Sequence, residues 1–395
     1  MLFLALTACA TLRSNRPLAD AAMGRTTRHT LVVGSRTRSF YLRLPPAFSP
    51  SQHYPLLVLL HGHNSNGANV LRQSRLEPAA DKHDVIVVAP NGTGRFSRFG
   101  LTWNAGTCCG SAQSQHVDDV AFLETLIDTL AAELPVDRAR VTIAGFSAGG
   151  MLALRAACDR SAIAYAFVNV QGTMPDTTCA PSRPVSMLLI AGDEDEDMRE
   201  EHAENKRHNG HAFAISASGT LRFWAGHNGC DPEIPSHDGH EYTEYPATGC
   251  ASGTVTRLIV VHGHPHAWPG GRRSWWLAPS PNPDVSADQL IFEFLAASRP
   301  DGIGMFQPCV EALETAGDLQ QREHCSAATI IRFQIDRYGH TGSAFRQREA
   351  PLRLIQAAGF EERLHFIVAQ TAELEWNRAR ADGGQQIVKI SCRHD

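Results

Sequence analysis

The chain has 395 residues, enough for one large domain and a smaller appendage. Apolar residues make up 43% and charged residues 19%, the balance of an ordinary globular protein rather than of a disordered or fibrous one. Net charge is −5 with no long basic run, which argues against a nucleic-acid binder, and no run of eighteen apolar residues is present to span a bilayer.

The N-terminal stretch Met1-Leu2-Phe3-Leu4-Ala5-Leu6-Thr7-Ala8-Cys9 is apolar. Its end, Leu-Thr-Ala-Cys, resembles a bacterial lipobox in which Cys9 would carry the lipid, with Ala10 to Arg28 as an unstructured lead-in. The expectation is export, to the periplasm, the cell envelope or the medium, with any membrane attachment made through Cys9 alone. Ten cysteines agree, because an oxidising compartment lets thiols pair. Cys230 and Cys250 flank the polar insert Asp231 to Gly249 and are the expected disulfide. Cys158 and Cys179 are further candidate partners, whereas the neighbours Cys108 and Cys109 are not expected to bond each other. No C-x2-C or H-x3-H pair sits where four ligands could converge, so neither a metal nor a cofactor is expected.

From His29 to Leu44, two extended runs separated by Gly34-Ser35-Arg36-Thr37 predict an antiparallel hairpin. Tyr54 to Gly62 and Asp84 to Pro90 are continuous apolar runs, the pattern of strands buried on both faces. Val117 to Leu134 places Val120, Leu123, Ile127 and Leu130 on one helical face, with Asp118 or Asp119 as its cap. Arg140 to Ala144 is another strand, and Met151 to Ala157 opens another helix. Ala164 to Val170, Val185 to Ala191 and Arg257 to His262 continue the strand series, and Ser286 to Ala297 closes it as a helix. Strands alternating with helices predict an α/β domain over 29–299 with a mostly parallel, doubly wound sheet. Beyond Ser298-Arg299-Pro300-Asp301-Gly302 the pattern breaks. Residues 303–395 read as a small α+β accessory region, with helical stretches at Gln307 to Cys325 and Glu349 to Glu375 and a strand at Gln386 to Ser391.

Gly145-Phe146-Ser147-Ala148-Gly149 sits between the strand ending at Ala144 and the helix after it. A G-x-S-x-G in that setting reads as a nucleophile elbow, a turn so tight that its flanks need glycine and its serine hydroxyl is pushed out above the sheet. A serine hydroxyl needs a base to take its proton and a carboxylate to orient that base. On sheets of this kind the chain order is serine, acid, histidine, each on a loop after a strand. Met187 to Gly192 runs into Asp193-Glu194-Asp195-Glu196-Asp197, and Arg257 to Val261 runs into His262-Gly263-His264-Pro265-His266. Both positions are therefore filled, each with three candidates. The amide of Ala148 and that of His63, in Leu60-His61-Gly62-His63, are the expected oxyanion donors. Asp118 and Asp119 precede the serine, where that order provides no acid, and are read as capping residues.

Five blocks in the same order carry a family resemblance: Leu59-Leu60-His61-Gly62, Trp103-Asn104-Ala105-Gly106-Thr107-Cys108-Cys109-Gly110, Val117-Asp118-Asp119-Val120-Ala121-Phe122-Leu123, Gly145 to Met151, and His266-Ala267-Trp268-Pro269-Gly270-Gly271. From about residue 30 to 298 the chain resembles the secreted α/β-hydrolase esterases grouped as polyhydroxybutyrate depolymerase-like proteins, which include lipoprotein esterases and related feruloyl and acetylxylan esterases. The resemblance implies an α/β-hydrolase fold and a metal-independent serine carboxylesterase. Its His-x-Trp-Pro-Gly pattern selects His266 as the base. Its acid loop, His-Gly-Thr-x-Asp, laid on Gly192, selects Asp195, although Ala191 and Asp193 depart from that pattern and leave Asp193 and Asp197 as alternatives. Trp103, Asn104 and Trp268 are candidates either to line the acyl or alcohol pocket or to pack in the mouth of the sheet. A hydroxyalkanoate ester or polymer is the first substrate implied, and a feruloyl or acetyl ester of plant polysaccharide the second.

Overall fold

The computed structural model describes residues 11–12, 18, 21, 23–96, 99–174, 178–195, 207–208, 211–212, 216–298, 373–380 and 386–393. Its centre is an eleven-stranded sheet. In chain order the strands are β1 (Thr11–Leu12), β2 (Thr26–Val33), β3 (Arg36–Arg43), β4 (Tyr54–Leu60), β5 (Ile86–Pro90), β6 (Val136–Phe146), β7 (Ala166–Val170), β8 (Ser186–Gly192), β11 (His237–Asp238), β12 (Tyr242–Ala247) and β13 (Thr256–Val261). Two short strands, β9 (Arg207–His208) and β10 (His211–Ala212), pair antiparallel with each other. The helices are α1 (Gly67–Ser74), α2 (Glu77–Lys82), α3 (Gly110–Ser114), α4 (Asp119–Glu133), α5 (Ala148–Asp159), α6 (Ala217–His227) and α7 (Ala287–Ala297).

Spatial order is β1-β2-β3-β5-β4-β6-β7-β8-β13-β12-β11. The six strands from β5 to β13 are parallel, and the antiparallel strands lie at the two sides. The order reverses direction at β4, from which the chain moves first to β5 on one side and then to β6 on the other. That is a doubly wound α/β-hydrolase arrangement, as expected, and functional loops of such sheets gather at the C-terminal ends of the parallel strands.

The period-2 geometry of a strand explains why the central runs are apolar throughout. Along β4, Leu56, Val58 and Leu60 enter one core with α4, α5 and α6, while Leu57 and Leu59 enter a second with α1, α2 and α7. All five are at most 1% exposed, so a polar residue at any of them would be buried without a partner.

Local rules account for the helix starts. Asn66, Asp118, Ser216 and Ser286 each accept a hydrogen bond from the backbone amide three residues on, at α1, α4, α6 and α7. Of the adjacent acids at the start of α4, Asp118 is the cap. Asp119 has a different partner: its carboxylate accepts from the Arg38 guanidinium at 2.7 Å and from the Asn104 amide at 2.7 Å, with Arg38 5% and Asp119 0% exposed.

Two sequence expectations are corrected, and one polar segment holds a strand that its composition does not announce. Ala10 to Arg28 is not simply a lead-in: Thr11 and Leu12 pair with β2, Leu18 is fully buried in the core, and β2 starts at Thr26. An apolar side chain near a sheet edge gains by covering it. The polar insert between Cys230 and Cys250 contains β12, paired antiparallel along its whole length with β13. Cys108 and Cys109 are bonded to each other, because the loop folds back through Cys109 N–H to Trp103 O and Ala105 N–H to Cys108 O, turning both side chains into the core. Cys158 joins Cys179 and Cys230 joins Cys250. Cys9 lies outside the described residues.

The chain divides into two compact units, Met1–Pro308 and Cys309–Asp395. In the second, β14 (Glu373–Arg380) and β15 (Gln386–Arg393) form an antiparallel pair with Glu373 opposite Arg393. The strand expected at Gln386 to Ser391 is β15, and the last three residues of the expected helix Glu349 to Glu375 belong to β14 instead. The rest of that helix and Gln307 to Cys325 lie outside the described residues.

Candidate active site

Ser147 stands between β6 and α5 with φ 53° and ψ −122°, a left-handed conformation that only a packed turn holds a serine in. The flanking glycines are required by close approach. A methyl on Gly145 would overlap the Gly149 carbonyl, and one on Gly149 would lie 2.5 Å from Leu60 O and 2.7 Å from His61 O. The Ser147 amide donates to Val170 O at 2.9 Å, so the elbow is also fixed to the end of β7.

The acid and the histidine arrive from the next two parallel strands. His266 Nε2 lies 2.9 Å from Ser147 Oγ, and His266 Nδ1 lies 2.7 Å from Asp195 Oδ2. The side chains are 33% exposed for His266 and 1% for Asp195, so the carboxylate is shielded while the imidazole edge faces solvent. With Nδ1–H donating to the carboxylate, Nε2 is left as an acceptor for the serine proton. Of the other acids, Asp193 is exposed on the loop and Asp197 lies outside the described residues.

The other two histidines of the loop are used elsewhere. His262 contacts His240 O through Nδ1 and Thr243 Oγ1 through Nε2. His264 is fully buried, its Nδ1 accepting from the Asn282 amide and its Nε2–H donating to Ala267 O. Burial pushes His264 below the ordinary histidine range and holds it neutral.

The loop after β4 passes beside the serine: a methyl built on Gly62 would lie 3.5 Å from Ser147 Cβ. His63 follows Gly62 in this loop, and Ala148 opens α5, where first-turn amides have no acceptor within the helix. Both expected oxyanion donors are thus backbone groups beside Ser147. His61 was given no role by sequence reasoning, yet it ties this loop down. Its Nδ1–H donates to Gly62 O and its Nε2 accepts from the Gly92 amide. Complete burial pushes its pKa down to about 4, so it works as a neutral crosslink.

Trp103, Asn104 and Trp268, the candidate pocket residues, are all buried. Trp103 Nε1–H donates to His61 O, and Asn104 donates to Val117 O while its amide binds Asp119. Asn104 borders a cavity of about 410 Å³ with His116, Arg155 and Arg160, and no member of the Ser147 cluster lines it. Trp268 packs on Phe146, which in turn packs on the His266 ring, and its Nε1–H donates to Asp288 Oδ1 at 3.1 Å. All three are buried and have hydrogen-bond partners within the protein: Trp103 at His61 O, Asn104 at Val117 O and Asp119, and Trp268 at Asp288.

Asp288 carries a pH consequence. Burial raises its pKa from 3.8 to about 7, so the folded protein holds this proton more tightly than the unfolded chain. The stability it contributes is complete below about pH 4 and is lost as pH rises through about 7. Asp288→Asn keeps an acceptor for Trp268 and removes the titration. Its Tm should match that of the parent at pH 4 and exceed it by roughly 5–8 °C at pH 8, read by calorimetry at both pH values. Equal Tm differences at the two pH values would refute this assignment.

Residues 33–176 match the esterase family model, described as "Putative esterase". "Putative esterase NocK" of Nocardia uniformis subsp. tsuyamanensis is 28% identical over 65% of this chain and 77% of its own length. "Feruloyl esterase B" of Piromyces equi is 26% identical over 60% of this chain, which spans only 44% of that protein. "Feruloyl esterase D" of Neurospora crassa is 25% identical over 67% of this chain and 87% of its own length. The doubly wound sheet, the strained serine at the elbow, the family match and these relatives together support an esterase-like α/β-hydrolase, and the chain is a carboxylic ester hydrolase.

Proposed function

We propose that the ester is cleaved by a Ser147–His266–Asp195 triad. The observation that supports this most is the unbroken set of hydrogen bonds from Asp195 through both nitrogens of His266 to a serine at positive φ. Ser147 Oγ attacks the ester carbonyl carbon as His266 Nε2 takes its proton. Asp195 stabilises the imidazolium through Nδ1–H, and the amides of His63 and Ala148 donate to the oxyanion. The imidazolium then gives its proton to the departing alcohol, leaving an acyl-serine. Water, deprotonated by His266, attacks that acyl group and releases the acid and the free serine.

For the substrate, the names of the curated relatives favour a feruloyl or acetyl ester on plant polysaccharide over a hydroxyalkanoate polymer. The three disulfides support export into an oxidising compartment.

One experiment addresses both levels. The full chain is treated with a fluorophosphonate, mapped by peptide mass, and assayed on methyl ferulate, acetylated xylan and a polyhydroxybutyrate film. The expected result is one label on the Ser147 peptide and turnover of the ferulate or xylan ester with little film clearing. Ester turnover with a label on another residue would overturn the triad, and film clearing alone would overturn the substrate.

A further inference from the structure

Gln171 stands where the three loops of the site meet. It is the first residue beyond β7, and its φ of 58° places it in the left-handed region, which a non-glycine residue occupies only when its surroundings hold it there. Its side chain is 1% exposed. A buried primary amide must spend its hydrogen bonds within the protein, and here they go to the two loops that carry the acid and the base. Oε1 accepts from the Gly192 amide at 3.0 Å. Nε2 donates to Pro265 O at 3.1 Å and to Ala267 O at 3.4 Å, the two carbonyls that flank His266. The partners settle which end of the amide points where: an N–H faces one end and carbonyls face the other.

The surroundings make this crosslink a tight one. Gly192 ends β8 three residues before Asp195, and the Asp195 amide turns back to Gly192 O at 3.2 Å. The Glu194 amide donates to His264 O at 3.2 Å, and a methyl on Gly192 would overlap that same carbonyl. On the other side, Val170, the neighbour of Gln171, accepts from the Ser147 amide. One chain segment, 170–171, therefore contacts the nucleophile loop by backbone and the acid and base loops by a single side chain.

We infer that Gln171 is a positioning residue whose amide sets the 265–267 loop against the 192–195 loop, and so fixes His266 between Asp195 and Ser147. The inference rests on the triad reading above. A triad works only within a few tenths of an ångström of its productive geometry, and a displacement of about 1 Å costs about 100-fold in rate.

The test uses the full chain with p-nitrophenyl acetate, measuring kcat and KM from pH 5 to 9 together with Tm. Gln171→Met has similar length and makes neither bond. It should lose about 10- to 100-fold in kcat with KM little changed. Gln171→Glu keeps the acceptor for Gly192 but turns an anion toward the two carbonyls and the imidazole between them. Among the described residues, the charged groups on the acid loop beside His266 are Asp195, Asp193 and Glu194, with the neutral His264 behind. An added carboxylate there favours the imidazolium, so the acid limb of kcat/KM should move to higher pH. A purely structural residue would lower Tm and leave kcat and the pH limb in place, and that result would overturn the inference. If Gln171→Met does not fold, Gln171→Asn takes its place, since its shorter arm can reach only one of the two loops. Ser147→Ala separates the two readings. Turnover surviving in it defeats the triad itself, whereas an inactive Ser147→Ala beside unaltered Gln171 variants defeats only the positioning role.

Discussion

Ser147→Ala will lower kcat about 10⁶-fold, and Asp195→Asn about 10⁴-fold, while Asp193→Asn stays within about twofold of the parent. The order of these losses follows from what each change leaves behind. Without Ser147 Oγ no acyl-enzyme forms, and only the oxyanion donors and binding remain. With asparagine at 195 the bond to His266 Nδ1 can persist, but its NH₂ end can donate to Nδ1. That holds the proton on Nε2, the nitrogen that must accept from Ser147 2.9 Å away. Asp193 lies on the same loop but is exposed, while the Asp195 carboxylate is 1% exposed at 2.7 Å from Nδ1, so the charge of Asp193 is screened. Steady-state rates on p-nitrophenyl acetate, with circular dichroism to show the fold intact, check all three. A large loss in Asp193→Asn with a small one in Asp195→Asn would reassign the acid.

That contrast marks where the chain could be read from its residues and where it could not. The buried strands announce themselves, because a strand covered on both faces has no place for a polar residue; β4 and β5 are apolar almost from end to end. The elbow is legible for a related reason: overlap with Gly149 and Leu60 O forbids any side chain at Gly145 and Gly149, and a sequence records such exclusions directly. The acid loop, by contrast, offers Asp193, Asp195 and Asp197 within five residues, and strand-and-loop order alone treats them alike. Depth and the bond to His266 separate Asp195 from Asp193, in the direction that the resemblance's acid-loop pattern implied.

Other features were out of reach because they are made by tertiary contacts. β12 (Tyr242-Thr243-Glu244-Tyr245-Pro246-Ala247) has a single buried residue, Thr243, and a proline, so its apolar pattern is weak, and its partner β13 supplies the ladder. Helix α6 contains two glycines and owes its place to buried Leu221 and Trp224. Polar residues were the hardest. His61 and Gln171 are crosslinks whose partners lie 31 and 94 residues away, at Gly92 and Pro265. The motifs around Trp103, Asn104 and Trp268 do not say which way a side chain faces or which partner its polar atoms take.

The same buried polar framework supports the second large effect, in stability. Arg38→Met will cost about 3–5 kcal/mol, because it leaves the Asp119 carboxylate in the core with its countercharge gone. Arg38 comes from β3 and Asp119 from the first turn of α4, so the pair joins an antiparallel strand to a helix on one face of the sheet. Burial pulls the guanidinium below its ordinary range, and Asp119 opposes that pull. Its plane also lies 3.8 Å from the Phe122 ring centre, where a methionine would still pack. Lost packing is therefore the smaller part of the loss, and the stranded charge the larger. Arg38→Met combined with Asp119→Leu removes both charges, and should be less destabilised than the sum of the two single changes by at least about 1 kcal/mol. It will not recover fully, since Asp119 also accepts from the Asn104 amide, and Asn104 adjoins Trp103, which holds His61 O. Urea denaturation of the four proteins measures the cycle. A change below about 1 kcal/mol in Arg38→Met would mean that water reaches Asp119, and that the pair is not the closed strut its burial describes.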